Sequence, residues 1–497
     1  MRNLKKISIL FLVMILALSL IACGEKAPET NEEENTTAGN VEVQEETYDV
    51  VVIGGGGAGL SAAIELKSLG ADVVLLEKMP FLGGNTIISG GELNAPETWI
   101  QEKLGIEDSI EQYKEDTLKG GDNIADEALV DVLANKAREA VEWLRDEVKV
   151  SFREDYLMQF GGHSVPRAAY PQGGSGDELI GKLAQKAEEL EIPIKKETKA
   201  EELLTDGEGR VNGVKAVDKD GNEITFHANK GVIIATGGFG ANVEMRTKYN
   251  AEYDDRYMIT VQPGSMGDGI IMAEKLGADL VDMEHIQTYP TCNPATGILS
   301  YVADTRFDGA ILVNKEGQRF VEELDRRDVI SKAILAQTDG MAYLVWDETI
   351  KENSQMHNFM DEFEQLVNQE MIIKADTLEE AAAFFDIDIT ELEKTIGRYN
   401  EYAEKGKDEE FNRRGDIIGL TKAPYYIQKV TPAIHHTMGG LKIDTEARVI
   451  DTNGNPIPGL YAAGEVTGGI HGANRLGGNA ITDIVVFGRV AAQSIMK

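Results

Sequence analysis

The stretch Val50-Val51-Val52-Ile53-Gly54-Gly55-Gly56-Gly57-Ala58-Gly59 constrains this chain more than any other. Four β-branched residues in a row read as a strand buried on both faces, and the glycines end it abruptly. Gly54, Gly56 and Gly59 stand at G-x-G-x-x-G spacing. The first permits a tight turn, the second lets backbone approach a pyrophosphate, and the third lets the next helix, Leu60 to Leu69, pack on the strand. The free N–H groups and positive dipole of that helix face the phosphates. A second strand, Asp72 to Leu76, ends in Glu77, 23 residues after Gly54, where a carboxylate takes the ribose hydroxyls of a dinucleotide. A glycine-rich loop without a ligand explains the glycines but not the strand, helix and acid together. The expected fold class is therefore α/β, with a Rossmann-like dinucleotide-binding domain.

The chain of 497 residues begins with an address. Arg2, Lys5 and Lys6 precede the apolar run Ile7 to Ile21, and Leu20-Ile21-Ala22-Cys23 closes it. Such a run is a secretory signal, too short for a stable membrane span. It resembles the bacterial lipoprotein signal, which implies cleavage after residue 22, lipidation of Cys23 and an extracytoplasmic, membrane-anchored protein. Residues 23–46 hold Glu, Thr, Asn and Ala with almost no large apolar side chain, the composition of an acidic, flexible tether.

The formal charge of −36 argues against a nucleic-acid or other polyanion binder and reads as a solvated surface. Of two cysteines, Cys23 belongs to the signal, so Cys292 has no disulfide partner. Iron–sulfur ligation, C-x-x-C-H haem attachment and a metal site are not expected.

Downstream, Asn85-Thr86 and Ser89-Gly90-Gly91 form a polar run beside Glu77 suited to wrapping a cofactor. Ile106 to Val148 has helical spacing, Gly174 to Leu190 reads as a long amphipathic helix, and Val211 to His227 as a β-meander with a surface histidine. Gly231 to Gly238 is another buried strand ending in glycines. From Glu284 the texture changes, with a hairpin pattern at Ala310 to Phe320 and several acidic helices. Gly459 to Glu465 then returns to the buried-strand style before a last helix from Ala480. The economical organisation is a dinucleotide-binding domain in two segments, residues 47–283 and 437–497, with an α+β domain inserted at 284–436.

The segment Ala463-Gly464-Glu465-Val466-Thr467-Gly468-Gly469-Ile470-His471-Gly472-Ala473-Asn474-Arg475-Leu476-Gly477-Gly478-Asn479-Ala480 resembles the closing FAD motif of the fumarate reductase/succinate dehydrogenase flavoprotein family. His435-His436-Thr437-Met438-Gly439-Gly440 and Arg327-Asp328 resemble its soluble, exported flavocytochrome-type branch. The resemblance spans roughly residues 47–497. It implies FAD along the first domain and an inserted clamp that closes on substrate. It also implies hydride transfer from reduced flavin to one alkene carbon of an unsaturated acid, with an arginine giving a proton to the other. Residue by residue, it makes Arg327 the proton donor and sets Arg475 and His435 on the carboxylate next to the double bond. His436, Glu465, Ala480, Ile481, Ala200 and Asp268 fall on the flavin side, with Gly54, Gly56, Ala58, Gly59, Glu77, Asn85, Thr86, Gly90, Gly91 and Arg475.

The chemistry is consistent with those roles. Arg475 can grip a carboxylate bidentately. Arg327 hardly deprotonates at equilibrium, so it needs neighbours to return its proton, and Asp304, Arg306 and Asp328 are the candidates.

Three departures from fumarate reductases bear on the substrate. Tyr289-Pro290-Thr291 replaces their His-Pro-Thr, Asp304 stands where they carry a glutamate, and Gly90-Gly91-Glu92-Leu93-Asn94 replaces Gly-Gly-Met-Asn. Phe160 offers an aromatic wall. Glu92, Tyr289 and Asp304 suit a ring bearing N–H donors and repel a second carboxylate. This pattern resembles the branch that reduces urocanate, imidazole-acrylate, as a respiratory electron acceptor. The alternatives are a fumarate or cinnamate-type reductase and a non-catalytic flavin-bearing lipoprotein. With no haem motif and no covalent-FMN sequence, electrons are expected from an external donor, a membrane-tethered flavoprotein or cytochrome.

Overall fold

The computed structural model describes residues 44–354, 356 and 359–497. The signal, the lipidation site Cys23 and the tether up to residue 43 lie outside the described residues. The hydrophobic strand β1 (Gln44–Ile53) runs parallel to β2 (Val73–Leu76), with Val50 opposite Val73 and Ile53 opposite Leu76. Between them α1 (Gly57–Ser68) crosses over the sheet, as parallel pairing requires. On its other side β1 pairs in parallel with β3 (Glu223–Ile234), Val50 opposite Gly231. Val50, Val51, Val52, Val73, Val74 and Leu75 are completely buried, as expected of a sheet covered on both faces.

Strand β1 begins earlier than the sequence suggests. Gln44, Glu45 and Glu46, assigned above to the tether, pair with Ile224, Thr225 and Phe226, and Glu46 accepts from Lys195 at 2.9 Å. Backbone pairing with an existing strand offsets their lack of apolar surface. The helical pattern at Ile106 to Val148 resolves into two helices, Ile110–Gly120 and Glu127–Asp146, N-capped by Ser109 and Asp126. The expected hairpin at Ala310 to Phe320 closes through one bridge, Val313 to Arg319. Ile311–Val313 instead pairs with the distant strand Ala342–Asp347, which offers a longer apolar edge.

The chain builds a second sheet around β4 (Ile286–Cys292) and the long β5 (Tyr425–Thr437), which are antiparallel. Strand β5 spans two apolar cores. Tyr426, Ile427 and Val430 belong to a cluster built from residues 302 to 430, whereas Ile434 belongs to the main core around β1. The chain then returns to the first sheet. Strand β6 (Pro456–Ala462) pairs in parallel with β3, and α2 (Asn479–Ile495) packs on α1. The sites of interest lie where β5 passes between the cores.

Candidate active site

Three cavities run end to end along the carboxyl edge of the first sheet. The first, about 40 Å³, is lined by Glu77, Lys78, Ala200, Thr236 and Asp268. The second, about 90 Å³, shares Gly54, Glu77, Lys78 and Thr236 with it and adds Gly56, Ala58, Asn85, Thr86 and Glu465. The third, about 250 Å³, continues from Asn85, Thr86 and Glu465 to Gly90, Glu92, Phe160, Tyr289, Arg327, His435, His436, Arg475, Ala480 and Ile481. The trough has the succession a dinucleotide with a bulky ring system needs: an outer pocket, a glycine-lined middle and a wide inner chamber.

The glycine turn performs the division of labour that its spacing suggests. A Cβ on Gly59 would sit 1.8 Å from the Gly54 carbonyl oxygen, so any side chain would push α1 off β1. A Cβ on Gly56 would meet no protein atom closer than 3.7 Å and would stand in the cleft, as would one on Gly237. The Glu77 carboxylate accepts from Gly55 N and Met79 N, both at 2.7 Å, which holds it at the junction of the first two cavities. Lys78 and Asp268 pair across the outer pocket. Asn85 Nδ2 donates to Glu465 at 2.8 Å, while Asn85 Oδ1 accepts from Gln262 N at 2.8 Å. In the inner chamber His436 Nε2 and Arg475 Nε are buried without a hydrogen-bond partner among the described residues. A helix N-terminus facing a glycine cradle, a fixed carboxylate and unpaired nitrogens at a wide chamber form a donor set that fits FAD. Gly91 lines none of these cavities. It turns at φ +77° against Ser175, a backbone role.

His435 and His436 are adjacent on β5, yet both face the inner chamber. The register explains it. His436 lies opposite Gln287 and Ile434 opposite Thr288, so His435 is an extra residue that bulges the strand. His435 Nδ1 lies 2.9 Å from Thr260 Oγ1 and its ring 5.4 Å from that of Tyr289. His436 Nδ1 lies 3.7 Å from Glu465. Burial drives both imidazoles well below their ordinary pKa, and the positive guanidiniums of Arg327 and Arg475 add to this, so both rings are neutral.

Arg327 opens the helix Arg327–Leu335, one guanidinium nitrogen 3.4 Å from Gln287 Oε1 and the group 4.8 Å over the Tyr289 ring. Arg475 donates to the same Gln287 Oε1 at 2.8 Å. Burial lowers the pKa of both, that of Arg475 to about 9, with repulsion from Arg327 contributing at Arg475 and from Arg306 at Arg327. Tyr289 OH donates to Asp304 at 2.5 Å, and burial raises the pKa of Asp304 and of Glu92. A Cβ on Gly90 would strike the Glu92 carboxylate, so a side chain there would displace that carboxylate from its present position.

Several expected partners stand elsewhere. Asp304 is not on the chamber wall; it holds the Tyr289 hydroxyl. Arg306 lines a neighbouring cleft, where it donates to the Glu323 carbonyl at 3.0 Å and stacks on Phe307, but its guanidinium also lies 5.8 Å from the Tyr289 ring and its charge acts on Arg327. Asp328 pairs with Arg326 at 3.0 Å, so it is not the group beside Arg327. The shared contact is Gln287, which sequence reasoning missed. Its signal was available, because on one strand residues two apart share a face and Gln287 is two before Tyr289.

Comparison with known proteins agrees with this geometry. Residues 49–481 match the FAD binding domain family. The chain is 45% identical to urocanate reductase from Eggerthella lenta, over 95% of this chain and 78% of that protein. It is 42% identical to fumarate reductase (cytochrome) from Shewanella frigidimarina, over 91% and 77%. The open conformation of a flavocytochrome c3 fumarate reductase superposes with a TM-score of 0.80 at 39% identity, covering 91% of this chain and 78% of that one.

Proposed function

Because the chain belongs to the FAD-binding flavoprotein family of urocanate and fumarate reductases, FAD-dependent oxidoreductases acting on carbon–carbon double bonds, we propose that its substrate is urocanate, reduced to dihydrourocanate (imidazole propionate). One observation carries this reading: the inner chamber is cationic at Arg475 and Arg327 yet holds Glu92 and Tyr289 on its walls, with the Tyr289 hydroxyl bonded to the buried Asp304 behind it. A molecule with one carboxylate and a ring of N–H donors satisfies both. A dicarboxylate would set its second carboxylate against buried acids, which is costly. Carboxylates beside the imidazole favour its protonated form, which withdraws electrons from the alkene.

In this reading Arg475 and His435 hold the substrate carboxylate and Arg327 protonates the carbon next to it. Bound FAD supplies the hydride to the ring-side carbon. Gln287 keeps both guanidiniums oriented. Electrons come from an external donor, a membrane-tethered flavoprotein or cytochrome. The lipoprotein-like signal ending at Cys23 supports an extracytoplasmic, lipid-anchored location for this respiratory step.

The test is steady-state reduction of urocanate, fumarate and cinnamate by the holoenzyme with a reduced viologen donor. Urocanate should give the highest kcat/KM. Absence of urocanate turnover defeats the proposal, and preference for fumarate replaces it with the second reading.

A further inference from the structure

Beside the inner chamber lies a second cleft of about 310 Å³ that shares Phe160, Arg327, Arg475 and Gly477 with it. Its other lining is unusual for this chain. Acidic residues outnumber basic ones 85 to 49 in the whole sequence, yet this cleft is lined by six basic side chains and one carboxylate, Asp325. Lys119, Arg326 and Arg414 are exposed at the rim; Arg327 and Arg475 form the wall common to both spaces. Carboxylates hold two rim arginines: outside the lining, Arg326 pairs with Asp122 and Asp328 and Arg414 with Glu322, and Arg414 also lies near the lining carboxylate Asp325. Lys119 has no ion-pair partner among the described residues.

We infer that this cleft is the port through which the carboxylate substrate reaches Arg475 and the product leaves, with Lys119 its free guiding charge. The inference rests on the proposal that the substrate is a small unsaturated carboxylate. On a strongly acidic surface an anion is repelled almost everywhere, so a local run of cations leading to a buried guanidinium channels its approach. The cations descend in the order a diffusing carboxylate needs. A solvated lysine meets it first, and the two guanidiniums that also face the chamber meet it last.

Two variants test the port without touching the chamber. Lys119→Glu reverses the free charge. Gly161→Trp adds bulk at a cleft-lining residue whose Cβ would meet no atom within 4 Å, so the new side chain starts in open space. Binding of urocanate, fumarate or acrylate to oxidised holoenzyme is followed by stopped-flow through the flavin absorbance change, on whichever carboxylate the wild type binds. If urocanate is not among them the substrate proposal fails, and the port is still tested on the others. Lys119→Glu should lower the association rate constant about threefold or more at low ionic strength, leave dissociation unchanged and match wild type in high salt. Gly161→Trp should slow association and dissociation alike, leaving Kd unchanged. Wild-type association rates in either variant overturn the port.

Discussion

Gln287 and Arg475 are tied twice: Gln287 Oε1 accepts from Arg475 Nη2 at 2.8 Å, and Gln287 Nε2 donates to the Arg475 carbonyl at 2.7 Å. The same Oε1 lies 3.4 Å from Arg327. One neutral carboxamide therefore orients two mutually repelling guanidiniums that no carboxylate among the described residues directly pairs. Gln287→Leu keeps the volume but strands both. Losing a hydrogen bond to a buried charge costs about 1.5–3 kcal/mol, so kcat/KM should fall about 10- to 100-fold. The FAD-to-protein absorbance ratio should stay at the wild-type value. A variant that loses FAD instead would mean that Gln287 serves the cofactor.

Arg327 is expected to be indispensable to turnover and dispensable to cofactor binding. Burial lowers its pKa, which makes it a better acid than a solvated arginine. Its guanidinium is steadied by the Tyr289 ring face at 4.8 Å. Positioned proton transfer contributes about 10²- to 10⁴-fold. Arg327→Ala should lose at least that much turnover with FAD still bound. Retention of turnover within about tenfold of wild type would favour the non-catalytic reading, since a general acid supplies more than that.

Substrate choice should respond to Tyr289 and Asp304 as a unit, because the 2.5 Å hydrogen bond makes Asp304 act through the phenol rather than from the chamber wall. Tyr289→Phe and Asp304→Asn should each lower kcat/KM for urocanate, about tenfold, and the double variant by little more than either alone. Fumarate should be spared or improved by Asp304→Asn, which removes a buried negative charge from its vicinity. Additive losses in the double variant would refute the coupling.

Local patterning made the first sheet legible. Val50 to Ile53 read as a doubly buried strand, Gly54 and Gly59 take the turn and close-packing roles their spacing assigns, and Gly56 faces the open cleft. The inner chamber was legible by motif but not by mechanism. Nothing in the sequence around His435 announces the bulge that turns two neighbouring histidines to one side, because a bulge depends on register with a partner about 150 residues away in the chain. Asp304 and Arg306 share one short turn, and only tertiary packing sets Asp304 on the Tyr289 hydroxyl and Arg306 between the Tyr289 ring and the second cleft. The early start of β1 was hidden for the opposite reason: Gln44 to Glu46 gain their order from backbone pairing, which composition does not encode.

His163 carries the clearest pH signature outside the chamber. Its Nδ1 lies 3.0 Å from Arg167, a donor only, so Nδ1 accepts and Nε2–H donates to the Gly477 carbonyl at 3.2 Å. That carbonyl also accepts from Asn94 at 2.6 Å, which anchors the loop after Arg475. Burial, reinforced by the Arg167 charge, lowers the His163 pKa to about 4 from an unfolded value near 6.5. Between those values the unfolded chain binds the proton and the folded one does not, so stability rises with pH across this window and falls on acidification. The full span is on the order of 3 kcal/mol. His163→Gln, which does not titrate, should remove that part of the slope. Urea unfolding from pH 4.5 to 7.5 should therefore show wild type losing more stability than the variant as pH falls, although the buried His435 and His436 leave both with some acid sensitivity. Parallel pH profiles would mean that His163 titrates in the folded protein as it does in the unfolded chain and that the Gly477 loop is held another way.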